Sequence, residues 1–120
     1  METPSYELAK QMLTKVKFEN RFIGSKLRER SGPQPITSYS FKEVVELIQD
    51  RIPGVNLANL EKWLREVLGD GELANEILRV SKTDASYIEH IAEIRVLMTS
   101  RLEQCLQAAE THEAVDVTKT

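Results

Sequence analysis

The amino-acid sequence predicts a single all-α domain of five helices, and three observations lead to this prediction. Apolar residues recur at helical spacing through most of the 120 residues. Capping residues, glycines and prolines divide this pattern into five segments. The length is that of one domain, with its own hydrophobic core. We expect an orthogonal, bundle-like fold in which long first and last helices pack lengthwise, with three short helices between them.

The first helix is predicted to be long. Thr3 can cap it, and Pro4 suits its first position because the missing N–H has no helical partner there. Apolar residues then recur at Leu8, Met12, Val16, Ile23 and Leu27, until 31–33 (Ser-Gly-Pro) stop the run. These signals predict about 26 helical residues. An alternating pattern at Val16, Phe18, Asn20 and Phe22 overlaps this helix, so a short extended segment or a break at 14–23 is the alternative.

Three short helices follow. Ser40 and Glu43 form a capping box for the first of them, which ends at 53–54 (Pro-Gly). Asn56 can cap the next helix, which carries the only tryptophan, Trp63, on its apolar face. Asp70 can cap the third, predicted at about 71–80.

The last helix is predicted to begin near Thr83 or Asp84. Its inner stripe consists of Tyr87, Ile91, Ile94, Met98, Leu102, Cys105 and Ala109. Further apolar residues widen the stripe to about half the circumference, so this helix is expected to contact more than one neighbour. Periodicity is lost after 110. We therefore predict a domain at 1–110 and a disordered tail at 111–120.

The basic residues are concentrated near the N-terminus. Residues 1–35 carry a net charge of +3, whereas the whole chain carries −3. On the predicted first helix Lys10, Lys17, Arg21 and Arg28 fall within a sector of about 40°. This row is a candidate surface for an anionic partner such as nucleic acid, and a solvated helix face is the alternative reading.

Two phenylalanines of the same helix, Phe18 and Phe22, lie beside its apolar sector. They are candidate self-association residues, and burial within the chain explains them equally well.

The predicted helices at 41–69 also resemble a helix-turn-helix, in which Asn59 and Lys62 could reach DNA. Glu61 and Glu66 on the same surface favour an ordinary helical corner instead.

No group of residues predicts catalysis. His90 and Glu93 lie one turn apart, but a di-metal bundle needs two Glu-x-x-His pairs. His112 falls in the predicted tail, Cys105 reads as a buried small residue, and the five glycines are dispersed. We therefore expect no catalytic residue, metal, cofactor or small-molecule substrate.

Residues 41–77 contain a motif that consists of Leu60, Trp63, Leu68, Gly69, Asp70, Glu72, Leu73 and Ala74. This motif resembles that of a small family of uncharacterised prokaryotic helical domains. The resemblance implies a helical domain with a non-catalytic role, and it names no ligand.

Together these features predict a non-catalytic protein interaction or regulatory domain that forms a homodimer or binds another protein. Nucleic-acid binding through the first helix is the alternative function. No segment suits a signal peptide or a membrane helix, and the single cysteine fits a reducing compartment, so we expect a cytoplasmic protein.

Overall fold

The chain folds into a mixed α/β domain. The computed structural model describes the backbone of residues 1–119 and the side chains of residues 1–111. In chain order the elements are α1 (Tyr6–Met12), a 3-10 turn (Phe18–Asn20), β1 (Phe22–Arg28), β2 (Gly32–Ser38), α2 (Phe41–Ile48), β3 (Pro53–Gly54), α3 (Leu57–Glu66), α4 (Gly71–Ser81) and α5 (Tyr87–Lys119). The strands form one antiparallel sheet in the order β2-β1-β3.

The predictions of an all-α helical bundle and of a long first helix are wrong. α1 has 7 residues, and most of the remaining predicted helix is the hairpin of β1 and β2. The prediction failed because a spacing of four residues fits one helical turn and also two strand periods. Ile23 and Leu27 share a face in either conformation. The alternative of a short extended segment or a helix break at 14–23 agrees with the structure: α1 has ended before this segment, a 3-10 turn lies at Phe18–Asn20, and β1 begins at Phe22.

Long-range contacts hold the chain out of the helical conformation after α1. Ser5, rather than Thr3, caps α1, and the helix ends at Met12. The backbone N–H of Val16 then donates a hydrogen bond to the carbonyl of Tyr39 (2.7 Å). Gly24 lets β1 approach α2 closely, because a Cβ at this position would lie 2.6 Å from Cδ2 of Leu47. The hairpin therefore depends on residues from the following helix and loop.

The three predicted cap residues of the short helices are confirmed. Ser40 Oγ accepts from the N–H of Glu43, Asn56 Oδ1 from that of Asn59, and Asp70 Oδ1 from that of Leu73. Between the two helices of the predicted helix-turn-helix at 41–69 lies the two-residue β3, which pairs with β1 at Ser25 and Lys26. DNA binding by this pair of helices stays a prediction.

The long helix α5 packs against α1, α2 and α4. Its core residues Ile91, Ile94, Met98 and Cys105 are buried, as predicted. The predicted disordered tail, 111–120, falls on the last part of this helix, where the side chains of 112–120 are outside the described residues. Its disorder stays a prediction.

The edge of the sheet that β2 forms is poorly suited to pairing with another strand; the two-residue β3 forms the other edge. The residues of β2 point their N–H groups alternately towards β1 and away from it. Pro33 and Pro35 are two residues apart, so their backbone nitrogens point to the same side of the strand, and neither nitrogen carries a hydrogen. We infer that they point outward, since the ladder with β1 needs donors from this strand. The outer edge thus loses two donors.

Candidate functional site

A concave surface lies between α1 with its following loop and the C-terminal end of α3. We call it the N-terminal groove. Its volume is about 620 Å³ and it is open to solvent. It is lined by Tyr6, Glu7, Lys10, Gln11, Thr14, Lys15, Val16, Lys17, Glu19, Asn20, Val67 and Leu68. This volume lies within the usual range for ligand sites.

Two hydrogen bonds fix the walls of the groove. The side-chain amide of Gln11 on α1 donates to the carbonyl of Val67 (3.3 Å). The indole N–H of Trp63 donates to the carbonyl of Asn20, in the 3-10 turn (2.7 Å). Because these bonds join segments far apart in sequence, tertiary contacts hold the walls of the groove in place.

Three lysines on the groove, Lys10, Lys15 and Lys17, have no salt-bridge partner among the described residues. The basic residues of α3 differ, since Lys62 pairs with Glu66 (4.0 Å) and Arg65 with Glu61 (2.8 Å). Glu7 and Glu19 also line the groove, so its net charge is +1. The ammonium groups remain free to bind anionic groups of a partner.

A smaller pocket of about 320 Å³ adjoins the groove and shares Val67 with it. Phe22 and Trp63 line it, with ring centroids 5.5 Å apart, and both are largely buried. Arg21 lies at its rim, with its guanidinium carbon 3.9 Å from the centre of the Phe18 ring. Phe18 is 65% exposed.

The structure separates the four predicted basic residues. Lys10 and Lys17 line the N-terminal groove, and Arg21 lines the adjoining pocket. Arg28 lies at the far end of β1, where it pairs with Asp50 (3.7 Å). These residues do not form a row on one helix, because α1 ends at Met12.

The two predicted self-association residues also have different environments. Phe18 is exposed, whereas Phe22 is 4% exposed and packs on Trp63. Phe22 is a core residue of this chain and is inaccessible to a second copy.

The hairpin presents an exposed face without any charged residue. Ile23, Ser25 and Leu27 lie on one face of β1, and their paired residues on β2 share it. We call this the outer sheet face; it consists of Ile23, Ser25, Leu27, Pro33, Pro35 and Thr37. Ile23 is 56% exposed and Leu27 48%. Leu27 and Ile52 both line a pocket at the end of this face, together with the charged residues Arg28, Glu29, Asp50 and Arg51.

Sequence reasoning missed a buried ion pair between Arg101 on α5 and Asp70 at the start of α4. Nε and Nη2 of Arg101 donate to the two carboxylate oxygens (2.7 and 3.0 Å). Burial acts to lower the pKa of Arg101, but the hydrogen bonds and charge of Asp70 outweigh it and raise the pKa. The sequence contains a signal for the burial of Arg101. This residue continues the spacing of three and four residues of Ile94, Met98 and Cys105 on the inner stripe.

His90 and Cys105, for which the sequence predicts no catalytic role, are buried in the fold. His90 Nε2 lies 3.0 Å from Oγ1 of Thr83, at the end of α4. Burial raises the pKa of the Cys105 thiol to about 11. Within the described part of the chain, no three His, Cys, Asp or Glu residues converge as metal ligands would. The side chain of His112 is outside the described residues.

Comparison with known proteins gave no relative of this chain: no family model, curated protein or solved structure matches it. Among the described residues, no helix combines the length and apolar character needed to cross a membrane. The resemblance of 41–77 to uncharacterised helical domains therefore stays a prediction.

Proposed function

We propose that this protein is a non-catalytic interaction module that forms a weak homodimer through the outer sheet face. The observation behind this proposal is the exposure of Ile23 and Leu27 on a face without charged side chains. A twofold interface brings identical surfaces together, so it must be compatible with itself. An uncharged apolar face meets this requirement without repulsion between like charges.

The shape of the hairpin favours contact through the face over contact through the edge. Pro33 and Pro35 reduce the donors on the free edge, which disfavours extension of the sheet by a second copy. Two sheets packed face to face can instead bury alternate side chains of both copies.

The size of the face supports a weak dimer. The two 7-residue strands of the hairpin cover roughly 230 Å² per copy at the usual rise and strand spacing. A standard interface buries about 800 Å² per partner. The face is smaller than this, so we expect a weak dimer; because buried area does not set affinity by itself, the range to test is broad, about 10 μM to 1 mM protein.

Sedimentation velocity over this concentration range tests the proposal. We expect the average mass to rise towards twice 13.7 kDa for the unmodified chain. The double variant Ile23→Asp/Leu27→Asp is expected to remain monomeric. The matched control is Ile88→Asp/Val96→Asp, which places the same charges at exposed apolar residues of α5.

Each outcome is decisive when circular dichroism shows that the variants are folded. A chain that stays monomeric at about 1 mM contradicts the proposal. Loss of the dimer only in the α5 variant assigns the interface to the long helix instead.

The proposal includes a cytoplasmic location, which is supported by the free thiol of Cys105.

A further inference from the structure

We infer that the N-terminal groove binds an extended acidic segment of a partner protein, in which carboxylates alternate with apolar side chains. This site is separate from the outer sheet face, and the inference does not depend on dimerisation. It rests on the charges at the rim of the groove, the apolar residues within it, and the fixed position of its walls.

The rim of the groove is complementary to carboxylates. Lys10, Lys15 and Lys17 come from α1 and from the extended chain that follows it, so their charges are spread along the groove. None is neutralised by a salt bridge within the described residues. Each can therefore pair with a partner carboxylate without first breaking an ion pair of this protein.

The interior of the groove suits apolar side chains. Val16 and Val67 are half-buried there, and Leu68 lies beneath them in the core. A partner segment with apolar residues between its acids could place them against these valines. Apolar contact would then add to the weak attraction of exposed charges, which alone contributes about 0.2–1 kcal/mol per pair.

The acidic residues of the groove disfavour nucleic acid as the occupant. Glu7 and Glu19 share the lining with the three lysines. A phosphate backbone carries a charge at every nucleotide and would meet these carboxylates, whereas a peptide can place neutral residues opposite them. Nucleic acid is therefore the alternative outcome of the test.

Fluorescence anisotropy tests the inference with a fluorescein-labelled peptide of alternating glutamate and leucine. Two comparison peptides replace glutamate with lysine or leucine with serine. We expect the acidic apolar peptide to bind most tightly. Lys10→Glu/Lys15→Glu/Lys17→Glu should weaken its binding by about tenfold or more, as expected for the loss and reversal of three charge pairs.

The matched control is Lys42→Glu/Arg51→Glu/Lys82→Glu, since these basic residues are exposed and lie away from the groove. It should bind the peptide within about threefold of the unmodified chain, because only long-range attraction changes. Glu7→Gln/Glu19→Gln should bind it more tightly. This variant keeps the inference testable if reversal of the three lysines disturbs folding.

Several results would overturn the inference. One is the absence of binding by the unmodified chain at about 1 mM protein. Another is equal weakening in the groove variant and the control variant, and a third is equal binding of all three peptides. Tighter binding of a single-stranded or duplex oligonucleotide through the same lysines, with a steep salt dependence, would assign the groove to nucleic acid. Repetition with Ile23→Asp/Leu27→Asp separates peptide binding from dimerisation.

Discussion

Arg101 and Asp70 form a two-pronged ion pair in the interior, with side chains that are 2% and 1% exposed. The pair ties the middle of α5 to the first turn of α4. Nη1 of Arg101 also donates to the carbonyl of Glu2 (2.8 Å), so the same guanidinium holds the segment before α1. One side chain thus connects three parts of the chain.

Removal of this guanidinium should strongly destabilise the protein. Arg101→Met leaves Asp70 buried without its counter-charge, and we expect the free energy of unfolding to fall by about 3–5 kcal/mol. Arg101→Met/Asp70→Asn should recover part of this loss, because asparagine removes the unpaired charge and can still cap α4. Urea denaturation measures both values.

Arg79→Met is the control for this prediction. Arg79 forms salt bridges with Glu76 and Glu93 at the surface, and we expect its replacement to have little effect. A loss below about 1 kcal/mol for Arg101→Met would show that the buried pair does not hold the fold together.

The thiol of Cys105 should make folding stability depend on pH in alkaline solution. Burial raises its pKa from 9.0 to about 11 in the folded chain. Between these values the unfolded chain loses a proton that the folded chain retains. The thiol's contribution to the free energy of unfolding is therefore complete below about pH 9. As the pH rises towards 11 this contribution is lost, which lowers the stability by roughly 2 kcal/mol.

Urea denaturation of the unmodified chain and Cys105→Ala, at steps from pH 8 to 11, isolates this contribution from the titration of lysines and tyrosines. We expect the stability difference between the two proteins to shrink as the pH rises. A difference that stays constant across this range would mean that the thiol ionises equally in both states.

Gly24 should not tolerate a methyl group. The new Cβ would lie 2.6 Å from Cδ2 of the buried Leu47 and 3.0 Å from the carbonyl oxygen of Gly54. Gly24→Ala must push β1 away from α2 and β3, and we expect a loss of about 1–3 kcal/mol in thermal or urea unfolding.

Gly71→Ala is the matched substitution. Its Cβ would meet Nη1 of Arg65 at 3.8 Å, an ordinary contact, in the first turn of α4. Alanine restricts the unfolded chain more than glycine does, so this variant should be as stable as the unmodified chain or more stable by up to about 1 kcal/mol. Equal effects at the two glycines would contradict the close approach of β1 to α2.

The hydroxyl of Tyr87 should hold β3 against the start of α5. It donates to the carbonyl of Pro53 (2.5 Å) and accepts from the N–H of Val55 (3.0 Å). Tyr87→Phe leaves both backbone groups without this partner, and we expect a loss of about 1–3 kcal/mol. Hydrogen exchange at the Val55 amide should become faster.

Tyr39→Phe controls for the loss of a hydroxyl. The hydroxyl of Tyr39 makes no hydrogen bond to any residue in the described part of the chain. Its removal should leave both stability and the exchange rate at Val55 nearly unchanged. An unchanged exchange rate in Tyr87→Phe would show that the hydroxyl does not protect this amide.

Part of the candidate site could be predicted from the sequence. The concentration of basic residues near the N-terminus pointed to Lys10 and Lys17, which line the groove. The prediction that they share one helix face with Arg28 was wrong. It assumed a helix that continues past Met12, whereas Arg28 lies on a strand of the hairpin. Val67 and Leu68 reach the groove only because the chain after α3 lies beside α1, where Gln11 donates to the carbonyl of Val67, and no local pattern predicts that.

The sequence alone determined the short helices, since a cap acts within one turn. Ser40, Asn56 and Asp70 each bind an N–H three residues ahead, so local identity is sufficient. Only the tertiary structure decided the conformation of 14–38. There the apolar spacing fitted both helix and strand, and the choice depended on remote groups: the carbonyl of Tyr39, the side chain of Leu47 and the pairing with β3. Strand pairing and close packing require partners distant in sequence, and a local pattern does not reveal them.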